Sequence, residues 1–368
     1  MLKRALVIIY LLLFIIIFNA FLNPFPKKNV PEGFGPRYGV SYSFEQAGWY
    51  GLDPRKAYIN LLDLVEVDWV RLPFFWDQDS TTSGQSSTNL GNIDDLKFGI
   101  EEAKKRNVKV IIALGAKTPY YPEYHLPKDV AGQIKFGETI SLKNPVTARI
   151  LEIDKKVVET LSAYDNIEAW QVENEPFLAN INNWKIGKDL LAAEAEAVRA
   201  TDPLSRPIIL NSVAPTLFDS SYKSLLKILK PGDILGVNAY FKTQGVYLFS
   251  FSIFDKEVHV PWPSWLVWPV QSWVGFSVNF GDLRDEATNA GVKLWVLEMQ
   301  AEPYVRTLDD AKRNLAYEPG DIVKADGYLK SSMVESIGLW GAPFWQFRQK
   351  NGDNSWIEMV QSLVNSKL

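Results

Sequence analysis

Two glutamates in this chain stand where short apolar strands run out. Ile167–Val172 leads into Glu173-Asn174-Glu175-Pro176, and the proline, with no N–H to give, ends strand pairing there. That leaves Glu175 at the mouth of a strand, where loops build sites on rigid frames. Far downstream, Lys293–Glu298 is a second apolar strand that closes on a carboxylate, Glu298. Two carboxylates brought together can divide acid and base work, one holding a proton while the other stays charged. Glu302 competes with Glu298 for the second role, and the strand end favours Glu298. Glu173 reads as a structural ion-pair partner.

Composition leaves few other candidates. The chain has 368 residues, no Cys and two His, His125 and His259. Thiolate chemistry and disulfides are excluded, and a His-rich metal centre or a Ser-His-Asp triad is not expected. No metal and no cofactor is called for, and the two His read as loop residues. A formal charge of −4 argues against a nucleic-acid partner. Thirteen Trp exceed what an ordinary core needs, and such rings stack on sugars or sit at membrane interfaces.

The elements that must position the pair recur as apolar run, polar loop and amphipathic helix. Strands are expected at 38–42, 68–72, 108–114, 167–172, 207–211, 233–238, 293–298 and 338–347. Helices are expected at 54–65, 93–106, 146–164, 187–200, 222–229, 282–290, 322–336 and 356–364. Asp53 before Pro54 reads as an N-cap, and Asn92 with Asp95 as a weak capping box. Eight strands alternating with eight helices specify an α/β fold, a (β/α)8 TIM barrel. The strands are rich in Val, Ile and Leu, as parallel strands buried on both faces should be. A doubly wound open sheet would show a glycine-rich phosphate turn after an early strand, and none is present. In a barrel, catalytic residues come from strand C-terminal ends, and Glu175 and Glu298 sit there on strands 4 and 7.

Ahead of the barrel, Lys3 and Arg4 precede an apolar run, Ala5–Leu22, long enough to cross roughly 27 Å of bilayer. No A-x-A cleavage site follows, so residues 1–23 read as a signal anchor or transmembrane segment. Residues 24–37 are a Pro- and Gly-rich linker, and 38–368 form the barrel domain. The expected placement is membrane-anchored with the barrel extracytoplasmic, or secreted if the segment is cleaved. An insert over 241–281 separates strand 6 from its helix. It holds Trp262, Trp265, Trp268 and Trp273, and reads as a small hairpin subdomain, a sugar-cleft wall or a membrane-dipping loop.

With these motifs in place, the sequence resembles the clan A retaining glycoside hydrolases, of the cellulase or family 5 and family 39 type. Those barrels carry an Asn-Glu, usually followed by Pro, on strand 4, and Asn174-Glu175-Pro176 matches. Their nucleophile ends strand 7, and Glu298 after Leu294-Trp295-Val296-Leu297 matches. Arg71 ends strand 2, Tyr240 follows strand 6 and Trp345 falls at the expected end of strand 8, where the clan places an Arg and a Tyr beside the nucleophile and a Trp beneath the sugar. In place of the clan's aromatic or His pair after strand 3 stand Tyr120 and Tyr121. The resemblance implies Glu175 as acid/base and Glu298 as nucleophile, with Arg71, Asn174, Tyr240 and Trp345 contacting a carbohydrate; Trp76, next to Asp77, reads either as lining an outer sugar subsite or as a surface loop aromatic. The resemblance also implies hydrolysis of O-glycosidic, by analogy β-linked, bonds by double displacement. A transglycosylase on the same site and a membrane-tethered, non-catalytic carbohydrate-binding barrel are the alternatives. A monomer is expected. Sugar identity and endo or exo action are not legible.

Overall fold

The computed structural model describes residues 29–30, 32–77, 90–215, 220–241, 247–253, 256–261, 278–303, 305, 307–312 and 317–365. The anchor segment 1–23 and the Trp cluster of the insert lie outside them. Among the described residues, no helix is long and apolar enough to cross a membrane.

Eight parallel strands close a barrel. They are β1 (Arg37–Ser41), β2 (Trp69–Pro73), β3 (Lys109–Leu114), β4 (Ile167–Val172), β5 (Ile208–Val213), β6 (Ile234–Ala239), β7 (Lys293–Gln300) and β8 (Ser336–Trp340). Each pairs with its neighbours in chain order, and β8 returns to β1 with Arg37 opposite Ser336. Around them lie α1 (Phe44–Trp49), α2 (Pro54–Leu64), α3 (Ile93–Lys105), α4 (Thr147–Leu161), α5 (Lys188–Thr201), α6 (Tyr222–Leu226), α7 (Phe280–Asn289), α8 (Pro319–Ser331), α9 (Ala342–Lys350) and α10 (Ser355–Asn365). Within the insert, Tyr247–Ile253 and Lys256–Pro261 pair as an antiparallel hairpin.

Strand alternation divides the core in two. Residues facing the helices form the large apolar shell, while Trp69, Ile111, Ala169, Ile209, Ile234, Trp295 and Leu297 pack inside the barrel. The indoles of Trp69 and Trp295 stack with centroids 5.9 Å apart, and Trp69 Nε1 donates to Ser336 Oγ at 2.8 Å. Space for Trp69 exists because β1 carries Gly39, where a Cβ would lie 2.0 Å from the indole. This apolar plug fills the lower barrel and leaves the C-terminal mouth for polar residues.

The caps behave as local sequence dictates, with one exception. Asp53 accepts from Lys56 N at 3.2 Å and Pro54 opens α2. Asn92, expected to cap α3, makes no cap bond. Its amide instead accepts from Phe75 N at 2.8 Å and donates to Pro73 O at 3.0 Å, tying the loop after β2 to the barrel.

The eighth strand also departs from expectation. It ends at Trp340, and Ala342–Lys350 is helical. Gly341 turns the chain at φ 138°, and Pro343 sits in the first turn of α9, where its missing N–H costs nothing. Trp345 is therefore not a strand-end residue. It is fully buried on α9, with its indole N–H donating to Ala301 O at 2.8 Å.

Three carboxyls are buried behind β4. Glu173, Asp154 of α4 and Glu194 of α5 have no solvent exposure, and Glu194 lies within hydrogen-bond reach of the other two. Glu173 accepts from the backbone N–H groups of Ala116 at 2.8 Å and Lys117 at 2.6 Å, so it clamps the loop after β3 and is not an ion-pair partner. Burial, then the neighbouring carboxyls, pushes Glu194 well above the ordinary carboxylate range, and burial, then Glu173, does the same for Asp154. Unfolded carboxyls ionise near pH 4 to 4.5 while these retain their protons. Their contribution to stability is therefore full below that pH and falls as pH rises toward the folded value. Glu194→Gln keeps a donor without a titrating proton. Its stability relative to the parent should rise by up to about 1.4 kcal/mol per pH unit above pH ~5. Urea unfolding at several pH values measures this, and a pH-independent difference would contradict the protonated assignment.

Candidate active site

The mouth of the barrel is ringed by polar side chains from β1, β2, β4, β5, β6 and β7. Arg71 is at its centre, 1% exposed. Its guanidinium donates to Ser41 Oγ at 2.9 Å, Gln171 Oε1 at 3.2 Å and Glu298 Oε1 at 2.6 Å. A buried charge pair is tolerated only when its remaining hydrogen-bonding capacity is met, and here Ser41 and Gln171 meet it.

Glu298 reaches Arg71 through an irregularity in β7. Val296 pairs with Val237 of β6, but the next paired residue is Glu298, opposite Asn238. Two residues thus oppose one, as in a β-bulge. Trp295 and Leu297 face the barrel interior, and strict alternation would send Glu298 outward. The bulge turns Glu298 into the mouth and returns Met299 to the outer shell. The second Glu298 oxygen, Oε2, accepts from Tyr240 OH at 2.7 Å. Both oxygens are held, so the carboxylate has one orientation.

Glu175 is placed by the turn that follows β4. Glu173 and Glu175 adopt φ of 59° and 47°, the left-handed region that non-glycine residues rarely occupy. Such strain persists only where the surroundings over-determine it. Here Asn211 Oδ1 accepts from Glu175 N at 3.0 Å, and the fully buried Lys117 Nζ donates to Glu175 O at 2.9 Å and Leu178 O at 3.0 Å. Lys117 Nζ also pairs with Glu123 at 3.1 Å. Asn238 Nδ2 donates to Glu175 Oε1 at 2.7 Å. Burial first, then the charge of Glu298, pushes the Glu175 carboxyl up to about 8.

Asn174 belongs to the same ring. Its Oδ1 accepts from Asn211 Nδ2 at 2.9 Å and Gln171 Nε2 at 3.3 Å, which fixes the amide flip and turns Nδ2 away from those partners. Trp76 is half-buried on the loop after β2, with the Arg149 guanidinium 5.6 Å from its ring centroid. Among the described residues, no hydrogen bond joins it to the polar ring. Tyr240 is 36% exposed, and its hydroxyl pKa lies well above the ordinary value, through burial and the adjacent Glu298. Among the described residues, no cluster of His, Asp and Glu has the arrangement of a metal site.

The aromatic that closes the mouth is Trp340, at the end of β8, in the place expected of Trp345. It is partly exposed, the Arg71 guanidinium lies 5.8 Å from its ring, and the Tyr120 ring packs on it at 4.3 Å and 30°. Of the two tyrosines after β3, Tyr120 is buried here, while Tyr121 is 79% exposed. His125 stacks on Phe75 at 3.8 Å and bonds Asp77, a loop role. Gln171, Asn211 and Asn238 were not singled out from sequence. Each is a polar residue near the C-terminal end of a largely apolar strand, at the interior phase, and that pattern could have found them.

Comparison with known proteins agrees with this geometry. Residues 32–242, more than half of the chain, match the family described as Cellulase (glycosyl hydrolase family 5). No curated protein sequence matches. A GH5_18 protein from Streptomyces cattleya in complex with GlcNAc superposes with a TM-score of 0.56 at 13% identity, over 91% of this chain and 80% of that one. A variant of it in complex with Manβ1-4GlcNAc gives a TM-score of 0.52 at 14% identity, over 83% and 71%. A β-galactosidase from the psychrophilic Marinomonas ef1 gives 0.53 at 11% identity, over 89% of this chain and 59% of that one. At these identities the structures speak for the fold, and the sequence match supplies the family. The chain belongs to glycosyl hydrolase family 5 and is a glycoside hydrolase.

Proposed function

We propose that the protein is a retaining β-glycosidase that works by double displacement on Glu298 and Glu175. The observation that carries this is the asymmetry of the two carboxyls. Glu298 has both oxygens held, one by the Arg71 cation and one by the Tyr240 hydroxyl. Glu175 is desolvated beside it and keeps its proton up to about pH 8. Environments that push two carboxyls apart assign the acid and the nucleophile.

In the first step Glu298 attacks the anomeric carbon. The C1–O bond to the leaving group breaks, its electron pair stays on that oxygen, and Glu175 supplies the proton. The product is an ester between C1 and Glu298. In the second step Glu175, now a carboxylate, takes a proton from water as the water oxygen attacks C1, and Glu298 leaves unchanged. Arg71 and Tyr240 hold the nucleophile against rotation in both steps. Asn174 Nδ2 is suited to the sugar 2-hydroxyl, a contact that strengthens in the transition state. Trp340, in place of Trp345, offers the apolar face beneath the ring. Glu175 as the acid must face the leaving oxygen, which puts the leaving group on its side of the mouth, where a hollow of about 10 Å³ lined by Phe177, Asn211 and Ser212 has room for a water molecule. The sugars named for the structural neighbours support a β-linked hexose substrate.

Because Glu175 must be protonated for the first step, kcat/KM for a glycoside with a poor leaving group should fall above about pH 8. A profile flat to pH 10 would remove Glu175 from that role. Glu175→Ala should retain glycosylation on 2,4-dinitrophenyl glycosides, which need no acid, and azide should restore turnover as a glycosyl azide of retained configuration. Loss that azide does not rescue, in a folded variant, would count against it.

The apolar Ala5–Leu22 run supports a barrel tethered outside the membrane by an uncleaved anchor. The full-length chain expressed in a cell with a secretory pathway should stay in the membrane pellet after carbonate extraction. Recovery in the supernatant with residues 1–23 removed would show a cleaved signal instead.

A further inference from the structure

Beyond the pair and its clamp, the mouth holds a third carboxyl with no assigned work. Glu302 lies two residues past the end of β7 and remains partly exposed. Its carboxyl lies beside the Trp340 side chain. Three tyrosines, Tyr50, Tyr120 and Tyr240, lie close enough to feel its charge. Among the described residues no cation pairs with it. Burial pushes it up to about 8, against the pull of the Trp340 side chain and with the added charge of Glu298. Near neutral pH it is therefore a neutral acid, able both to donate and to accept.

A second polar group at the same place is unsatisfied. Tyr120 OH is buried and has no hydrogen-bond partner. Its residue sits at φ 79°, left-handed backbone, with the ring fixed against Trp340. Leaving a buried hydroxyl unpaired costs roughly 1–3 kcal/mol unless a ligand completes it. The turn at Gly341 makes room for this arrangement. A Cβ there would lie 2.8 Å from Glu302 Cβ and 2.8 Å from Trp345 Nε1. Buried donors and acceptors without protein partners, around an aromatic face, are what a sugar ring with free hydroxyls supplies.

The position fixes which part of the substrate is touched. Glu175, as the acid, faces the leaving oxygen, which puts the leaving group at the ends of β4 and β5. Glu302, Trp340 and Tyr120 stand by Glu298 and Arg71, at the ends of β7, β8 and β3. We propose that Glu302, together with the Tyr120 hydroxyl, is a specificity-determining contact for ring hydroxyls of the glycone remote from the cleaved bond. Together they select a neutral hexopyranoside in which those hydroxyls are free. The inference rests on the glycosidase reading and adds the group that reads the sugar.

The test uses the 4-nitrophenyl β-glycosides of glucose, mannose and galactose, and the 3-, 4- and 6-deoxy forms of whichever the wild-type enzyme cleaves fastest. Glu302→Ala should lower kcat/KM on the parent glycoside on the order of 10- to 100-fold, as loss of a buried hydroxyl contact does. On one deoxy analogue, which wild type already cleaves poorly, the same substitution should cost less than about 3-fold, because the contact is already gone. Glu302→Gln, which still donates and accepts, should recover most of the activity, and Tyr120→Phe should show its smallest loss on that same analogue. A merely structural role would instead lower activity equally on all four substrates, with no recovery in Glu302→Gln, and that result overturns the proposal. If Glu302→Ala does not fold, the pattern across Glu302→Gln and Tyr120→Phe decides. The two readings fail separately: turnover that survives in Glu298→Gln sinks the glycosidase reading, whereas equal losses in the Glu302 variants sink only this one.

Discussion

The structure of the site depends on one buried ion pair, Arg71 with Glu298. Both side chains are almost wholly withdrawn from water at the top of the barrel. Removing either partner of such a pair leaves an uncompensated charge and typically costs about 3–5 kcal/mol. The polar ring of Ser41, Gln171, Asn174, Asn211 and Asn238 makes the pair tolerable and carries its orientation around the mouth to Glu175. Each amide in that ring is fixed by its neighbour, so a chain of hydrogen bonds, together with the strained turn after β4, sets the two carboxyls against each other. Beneath them, the Trp69–Trp295 plug closes the barrel to water and keeps the local dielectric low.

In the proposed mechanism, that low dielectric gives two chemically identical side chains opposite tasks. Glu298 is matched to a permanent cation, while Glu175, beside it, has only an amide N–H on one oxygen. Burial then raises Glu175 and leaves it a proton to give. Glu173, two residues earlier, is deeper still, yet its oxygens are consumed by the N–H groups of Ala116 and Lys117. It holds in place the loop whose Lys117 supports the Glu175 carbonyl, and so shapes the site without facing it.

Much of this was legible in the sequence because it depends on local pattern. The apolar runs place all eight strands, and Asn174-Glu175-Pro176 marks the turn after the fourth. Arg71, Tyr240 and Glu298 are brought together as their strand ends imply. Four features were not legible, each for a physical reason. The bulge in β7 is a register event between strands, and nothing in Leu294–Met299 announces it. The apolar run Gly338–Phe347 reads as one long strand, although Gly341 and Pro343 are a helix-start signal, and this misplaced the strand-end role on Trp345 when Trp340 holds it. Asn92 has the right type and position for a cap, but the loop after β2 competes for its amide and wins. The buried trio of Asp154, Glu173 and Glu194 arises from three separate elements, and only the packing of α4 and α5 on β4 reveals it.

In the proposed mechanism, Glu298 forms the covalent bond to the sugar. Incubation with a 2,4-dinitrophenyl 2-deoxy-2-fluoro-β-glycoside slows both steps but spares glycosylation more, so the ester intermediate accumulates. Proteolysis and mass spectrometry of the inactivated protein then locate the label. One fluorosugar per chain is expected, attached at Glu298, with release of one equivalent of dinitrophenolate. A label on Glu302 or Glu175, or rapid turnover with no covalent adduct and inverted product, would contradict it.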